Sequence, residues 1–355
     1  MNRHPCHGGA AVHADQLRTL HLEHRVAPTP APLRPVIGWI NHRIHNHRFR
    51  AETGQVRRRR QLRLAMSRAV ARAVVDTPGA ARAYERVNGP ARVVFRRIIL
   101  PVAGLPASLE RLRVAQVTDV HHGPWLPVGY IADIMRQVND ARPDLVLLTG
   151  DYVINSPRYI EPVVRAFAAL RPGIATLAVL GNHDWWEGVR RMRSAFAAAG
   201  IPLLDNRRAV VTPERGLVLD ASVRHDAEGL AVAGVGDHWE DRVDAAAALG
   251  GLPAAMPRIV MSHNPDVAED RGFLAAGERV DLMVSGHTHG GQVCLPRFGA
   301  PVVPSIHGQK YLSGWVEGPA FPVYINNGIG TSGLPVRFGA PAEVTLFDLV
   351  RPQAG

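Results

Sequence analysis

Aspartate, asparagine and histidine recur along this chain in five short segments, each placed just after an apolar run. The segments are Thr118-Asp119-Val120-His121, Gly150-Asp151, Gly181-Asn182-His183-Asp184, Ser262-His263-Asn264-Pro265-Asp266 and Gly286-His287-Thr288-His289. Seven of their side chains are candidate metal ligands: Asp119, His121, Asp151, Asn182, His263, His287 and His289. Carboxylates, an amide and imidazoles make a mixed oxygen and nitrogen set suited to divalent transition metals. Seven ligands are too many for one ion. They suit two ions that share a bridging carboxylate, the arrangement that clamps a phosphoryl group for in-line attack. A lone His or Asp at a strand end is ordinarily a cap or a satisfied polar group. Five such segments in this order, three of them introduced by glycine, are hard to obtain that way.

The elements that must position these residues can be read from the runs before them. Residues 112–117 (LRVAQV), 145–148 (LVLL), 176–180 (TLAVL), 259–261 (IVM) and 282–284 (LMV) read as short strands buried on both faces. Asp119 and Asp151 are 32 positions apart, and Asp151 and Asn182 are 31 apart, about one βαβ unit each. Polar residues at the carboxyl ends of parallel strands meet at one sheet edge, where open α/β sheets bind ligands. Helices are expected at 128–141, 159–170 and 187–199, and an early strand at 92–100. Short strands around 208–221 and 230–235 would begin a second sheet.

The five blocks resemble the calcineurin-like metallophosphoesterases, whose pattern is D-x-H, G-D, G-N-H-D/E, H and G-H-x-H. The resemblance covers residues 110–350, and the segments 286–301, 308–315 and 326–349 look like the bacterial YkuE-like branch. That branch includes enzymes acting on UDP-diacylglucosamine and other membrane-associated phosphodiesters. The resemblance implies an α/β fold, a four-layer αββα sandwich with the metals at one sheet edge. It assigns Asp119, His121 and His289 to a first ion, Asp151 to the bridge, and Asn182, His263 and His287 to a second. The ions would be two divalent metals, Mn, Fe or Zn. His183 is the family's general acid, with Asp184 beside it as an orienting carboxylate; the other reading of His183 is a histidine hydrogen-bonded to a ligand.

Several residues depart from the pattern or stand beside it. The superfamily's protein phosphatases carry an Arg in a G-D-x-x-D-R-G block. Here that block reads Gly150-Asp151-Tyr152-Val153-Ile154-Asn155, which argues against a protein phosphatase. Thr118 stands where Ser is commoner. His122 is expected beside the ligands or facing solvent. Trp125, Trp185 and Trp186 adjoin ligand blocks and could stack on a base, line an acyl groove or simply pack. Arg337 could pair with a phosphate or form a surface salt bridge.

Length and charge place the rest. The chain has 355 residues, enough for one large domain and an extension. Its only cysteines, Cys6 and Cys294, exclude a disulfide framework and a thiolate zinc site. Residues 1–100 hold 19 Arg against 5 Asp and Glu, a balance of +14, whereas the remainder balances at −4. The expected organisation is therefore a basic extension, 1–90, disordered and then helical, followed by a catalytic domain, 91–355. Residues 57–75 carry an apolar stripe at Leu62, Met66, Ala69 and Ala73 flanked by arginines. Such a helix either lies on an anionic membrane or packs on the domain. No run reaches the roughly 18 apolar residues of a membrane span, and no apolar segment follows Arg57–Arg60 as in an export signal. The expected location is cytoplasmic, or peripheral at the inner membrane face. Nucleic acid is not an expected partner, because no aromatics are interleaved with the arginines. The functional expectation is a dinuclear metal-dependent hydrolase of a phosphoester, either a phosphodiester or a pyrophosphate, with lipid-linked substrates among the candidates. The alternative is a non-catalytic scaffold of the same fold binding a partner through the cleft. A scaffold would be expected to lose ligands, and none is lost.

Overall fold

The computed structural model describes residues 92–220, 227–295, 298–333 and 335–352. The extension at 1–56, the helix expected at 57–75 and the boundary at 90 lie outside the described residues.

A five-stranded sheet is built from β1 (Val94–Pro101), β2 (Arg113–Val117), β3 (Leu145–Leu148), β4 (Ala175–Ala178) and the C-terminal β12 (Glu343–Val350), in the order β1-β12-β2-β3-β4. β2, β3 and β4 are parallel, and β12 runs antiparallel to β2. A seven-stranded sheet contains β5 (Arg207–Val211), β6 (Leu217–Leu219), β7 (Leu230–Gly234), β8 (Arg258–Met261), β9 (Leu282–Ser285), β10 (Gly314–Glu317) and β11 (Pro322–Ile325). Its order is β10-β11-β9-β8-β7-β5-β6.

Strand alternation separates the layers. In β3, Leu145 and Leu147 pack with Ile259 and Met261 of β8, so they fill the space between the sheets. Val146 and Leu148 point the other way, onto Ile131, Ile134, Phe167 and Phe196. Those residues belong to α1 (Val128–Asp140), α2 (Ile160–Phe167) and α3 (Asn182–Ala198). Val260 of β8 joins the core under α4 (Ala245–Leu249) and α5 (Arg271–Ala275). The result is helices, sheet, sheet, helices. Burial of both sheet faces is why the strand sequences are continuously apolar instead of alternating.

The helices depart from expectation at their ends. α2 stops at Phe167, before Leu170-Arg171-Pro172, where proline cannot continue a helix. α3 starts at Asn182, five residues earlier than expected, because a ligand residue opens it. It is interrupted at Gly188 (φ 140°), a conformation that favours glycine. β10, β11 and β12 were not anticipated.

Candidate metal centre

The seven expected ligands meet at one edge of the sandwich. Asp119 and His121 follow β2, Asp151 follows β3, Asn182 opens α3 after β4, His263 follows β8, and His287 and His289 follow β9. Five of them have left-handed backbone: Asp119 (φ 49°), His121 (48°), Asp151 (57°), His287 (70°) and His289 (55°). Such a conformation costs a non-glycine residue about 1–3 kcal/mol and persists only where neighbours enforce it. Here they do. Asp119 N–H donates to Gly150 O at 2.9 Å, His121 N–H to Asp151 O at 2.9 Å, and Gly330 N–H to Asp119 O at 2.8 Å. Gly181 and Gly286 are required for a different reason: a methyl on either would overlap the Asp151 or Asp119 carboxylate.

Two clusters result. In the first, His289 Nε2 lies 3.3 Å from Asp119 Oδ1, and His121 Nε2 lies 3.0 Å from His289 Nε2. In the second, His287 Nδ1 and His263 Nε2 face each other at 3.2 Å. Asp151 Oδ2 stands between them, 3.5 Å from His121 Nε2 and 3.2 Å from His263 Nε2. Its other oxygen accepts from the His183 N–H at 2.8 Å. Asn182 Oδ1 is buried and has no hydrogen-bond partner in the protein. A buried orphan carbonyl and converging imidazole nitrogens are costly unless a cation joins them. The donor set therefore fits divalent metal ions.

Surrounding groups aim the ligands. Thr118 Oγ1 is 2.8 Å from Asp119 Oδ2, which also accepts from the His287 N–H at 2.9 Å. His263 Nδ1 meets Thr149 O at 2.9 Å, which turns Nε2 to the site. Burial opposes ionisation of Asp119, but His289 and His121 hold it below the usual carboxylate range. Burial and His263 act against each other on Asp151 in the same way, and it too lies well below that range. Burial likewise opposes charge on His263, yet Asp151 and Asp119 raise it to about 10. The carboxylates thus draw positive charge into the site, as a proton or as a competing cation.

His183 stands against the first cluster and the Asp151 that links it to the second. Its ring is 4.7 Å from His121, edge to face, and 4.6 Å from Trp186. A ring nitrogen comes within 4.8 Å of ligand atoms of His121 and Asp151. Asp184 does not orient it. The Asp184 carboxylate accepts from the backbone N–H groups of Gly181, Asp151 and Tyr152, each at 2.9 Å. Its place at the third helical position, with its chain reaching back across the bridging loop, makes it a brace for Asp151. Arg337 also departs from expectation. Its guanidinium donates to the carbonyls of Asn327 at 2.8 Å and Gly328 at 3.0 Å, and lies 3.4 Å from His289 Nδ1. His122 is buried, with Nδ1 2.7 Å from Leu126 O, so it does not face solvent.

One loop was missed in the sequence. Residues 236–240 follow β7, and Trp239 packs edge to face on His287 at 4.5 Å and stacks near Trp186 at 6.5 Å. Asp237 is buried, and burial raises its carboxyl to about 7. The signal available was its place after an expected strand, like every other ligand segment.

An αββα sandwich with a bridged ligand set at its edge is the architecture of one enzyme class, and the chain belongs to it: the calcineurin-like phosphoesterase family model matches residues 112–291. The phosphodiesterase YaeI of Escherichia coli (strain K12) is 31% identical over 247 residues, covering 67% of this chain and 82% of that protein. An uncharacterized metallophosphoesterase of Bacillus subtilis, YkuE, is 26% identical over 294 residues, 82% of this chain and 97% of its own. The UDP-2,3-diacylglucosamine pyrophosphatase LpxG of Chlamydia trachomatis is 24% identical over 291 residues, 68% of this chain and 84% of that one.

Proposed function

We propose that the protein is a dinuclear metal-dependent phosphodiesterase or pyrophosphatase, with residues 91–355 as its catalytic domain and 1–90 as an extension. The observation that carries this reading is the single oxygen, Asp151 Oδ2, standing between two histidine clusters. Asp119, His121 and His289 would hold one ion, Asn182, His263 and His287 the other. Divalent cations of Mn, Fe or Zn there would polarise a phosphoryl oxygen and furnish a nucleophile at neutral pH.

The chain's own groups supply the rest. His183 is the proton donor to the leaving group. Burial, opposed by Asp151, brings its imidazole down to about 4, so it rests neutral. An anionic phosphoester beside it would raise its proton affinity. His121 and Trp186 restrict where its ring can turn. Asp184 acts as the brace that holds the Asp151 loop. Lipid-linked phosphoesters belong among the substrates to test, in keeping with the printed activity of LpxG. The 57–75 segment would hold the enzyme peripherally at the inner membrane face, in the cytoplasm. Among the described residues no helix is long and apolar enough to cross a membrane.

The test is hydrolysis of a panel in added Mn²⁺: an activated aryl phosphodiester, a monoester, a UDP-lipid and cyclic nucleotides. Diester or pyrophosphate turnover that chelation abolishes is expected. A folded chain that holds no metal and turns over nothing would leave the scaffold reading.

A further inference from the structure

Strand order brings a glycine-rich loop against the first half of the centre. β11 pairs parallel with β9, the strand that delivers His287 and His289, and ends at Ile325. The chain then runs through Asn326-Asn327-Gly328-Ile329-Gly330. This loop closes on Thr118 and Asp119: Ile329 N–H donates to Thr118 O at 3.2 Å, and Gly330 N–H donates to Asp119 O at 2.8 Å. The approach leaves no room for side chains. A methyl on Gly328 would stand 2.5 Å from Asp119 Cβ, and one on Gly330 would stand 2.2 Å from Val120 O. The left-handed backbone of Asp119 (φ 49°) is therefore held in part by this loop.

Arg337 fastens the carbonyls of that loop. Its Nη2 donates to Asn327 O at 2.8 Å and to Gly328 O at 3.0 Å, and its Nε donates to Gly330 O at 3.0 Å. The same guanidinium reaches a second ligand residue. Nη1 donates to Ala340 O at 3.2 Å and to His289 O at 3.4 Å, and Nη2 lies 3.4 Å from His289 Nδ1. The other ring nitrogen of His289, Nε2, is the one that faces Asp119 and His121. These contacts fall on the brace of Asp119 and on His289, both in the first half. A rigid planar fork of five N–H groups can serve carbonyls that converge from separate segments, and a lysine ammonium with three cannot serve them all.

We propose that Arg337 is a positioning residue for the first ion. It locks the 327–330 loop behind Asp119 and steadies the ring of His289, so that the carboxylate and Nε2 converge on one point. The inference rests on the assignment of Asp119, His121 and His289 to one ion. It is tested in the full chain by Mn²⁺ affinity, measured by competition with a chelator in two backgrounds. His263→Ala leaves the first half intact, and His121→Ala leaves the second. Arg337→Gln should weaken Mn²⁺ binding on the order of tenfold or more in the first background and leave it unchanged in the second. Arg337→Lys keeps the charge without the fork and should fall between Arg337→Gln and the parent in the first background. With both halves intact, Arg337→Gln should hold fewer than two ions at a Mn²⁺ concentration that fills the wild type. An arginine that merely supports the fold would, when replaced, weaken both backgrounds alike. That result would overturn the proposal, and so would unchanged affinity in the first background. Full affinity in Arg337→Lys would overturn it too, because charge alone would then suffice. A wild-type chain that binds no Mn²⁺ would instead overturn the two-ion reading, and the inference with it.

Discussion

On the proposed assignment the two halves of the metal centre carry three protein ligands each, yet they are differently made. The first, Asp119 with His121 and His289, has its own carboxylate and three left-handed residues. Its carboxylate is fixed by Thr118 and the His287 N–H. The second, Asn182 with His263 and His287, has only neutral donors. It depends on Asp151 for negative charge, at 3.2 Å from His263. The first half is thus built for affinity. The second is built around a shared group, so its occupancy should follow Asp151 and the metal concentration.

Unequal responses to mutation would sharpen this contrast, and equal ones would break it. The largest effect is expected for Asp119→Ala, which removes the only carboxylate private to the first half. Turnover should be lost and should not return when Mn²⁺ is raised, whereas Asn182→Ala should be partly rescued by excess Mn²⁺. Rescue of both to the same degree, followed by activity against metal concentration, would show the halves to be alike.

Next comes His183→Ala, which removes a ring packed on His121 but none of the seven proposed ligands. It should keep its metal content and lose turnover on the order of 10²–10⁴-fold. The loss should shrink for substrates with good leaving groups. If elemental analysis shows that metal is lost too, His183 is a ligand and the second half has been drawn too small.

A smaller effect, on the order of 10-fold in first-half metal affinity, is expected for Thr118→Val, which leaves Asp119 without its hydroxyl partner. Competition with a chelator would measure it. A change at the second half instead would contradict the division.

The smallest effect concerns pH in chelator-stripped protein. His183 and His287 are pulled down to about 4 and about 3, chiefly by burial. The unfolded chain then binds more protons below about 6.5, so stability falls as pH drops from there. His263 is raised to about 10, against burial, by Asp151 and Asp119. The folded chain binds the extra proton between about 6.5 and that value, so this contribution is lost as pH rises. Thermal stability without metal should be highest at about pH 6.5, where the two slopes meet. His263→Ala should flatten the slope between about 7 and about 10, above the range in which Asp237 titrates.

The ligands were legible because each is a polar residue placed directly after a buried run, and a buried run leaves few reasons for polarity. The order of blocks also gave both sheets their start. The remaining strands were not legible. β12 enters the first sheet between β1 and β2, a pairing made across more than two hundred residues with no local mark. Asp184 and Arg337 were misread for a related reason. Their types fit catalytic tasks, but their partners are backbone groups brought close only by the fold. Trp239 escaped because nothing next to it in sequence is a ligand. The basic extension was read from composition alone and lies outside the described residues.

The central claim is that two ions share Asp151. The most direct measurement is the metal content of purified Asp151→Ala beside wild type, taken by elemental analysis on the same preparations used for diester hydrolysis. Wild type should approach two ions per chain. The variant should hold one or none, with the first half retaining what remains, and should be inactive. An Asp151→Ala protein that keeps both ions and its turnover would contradict the account.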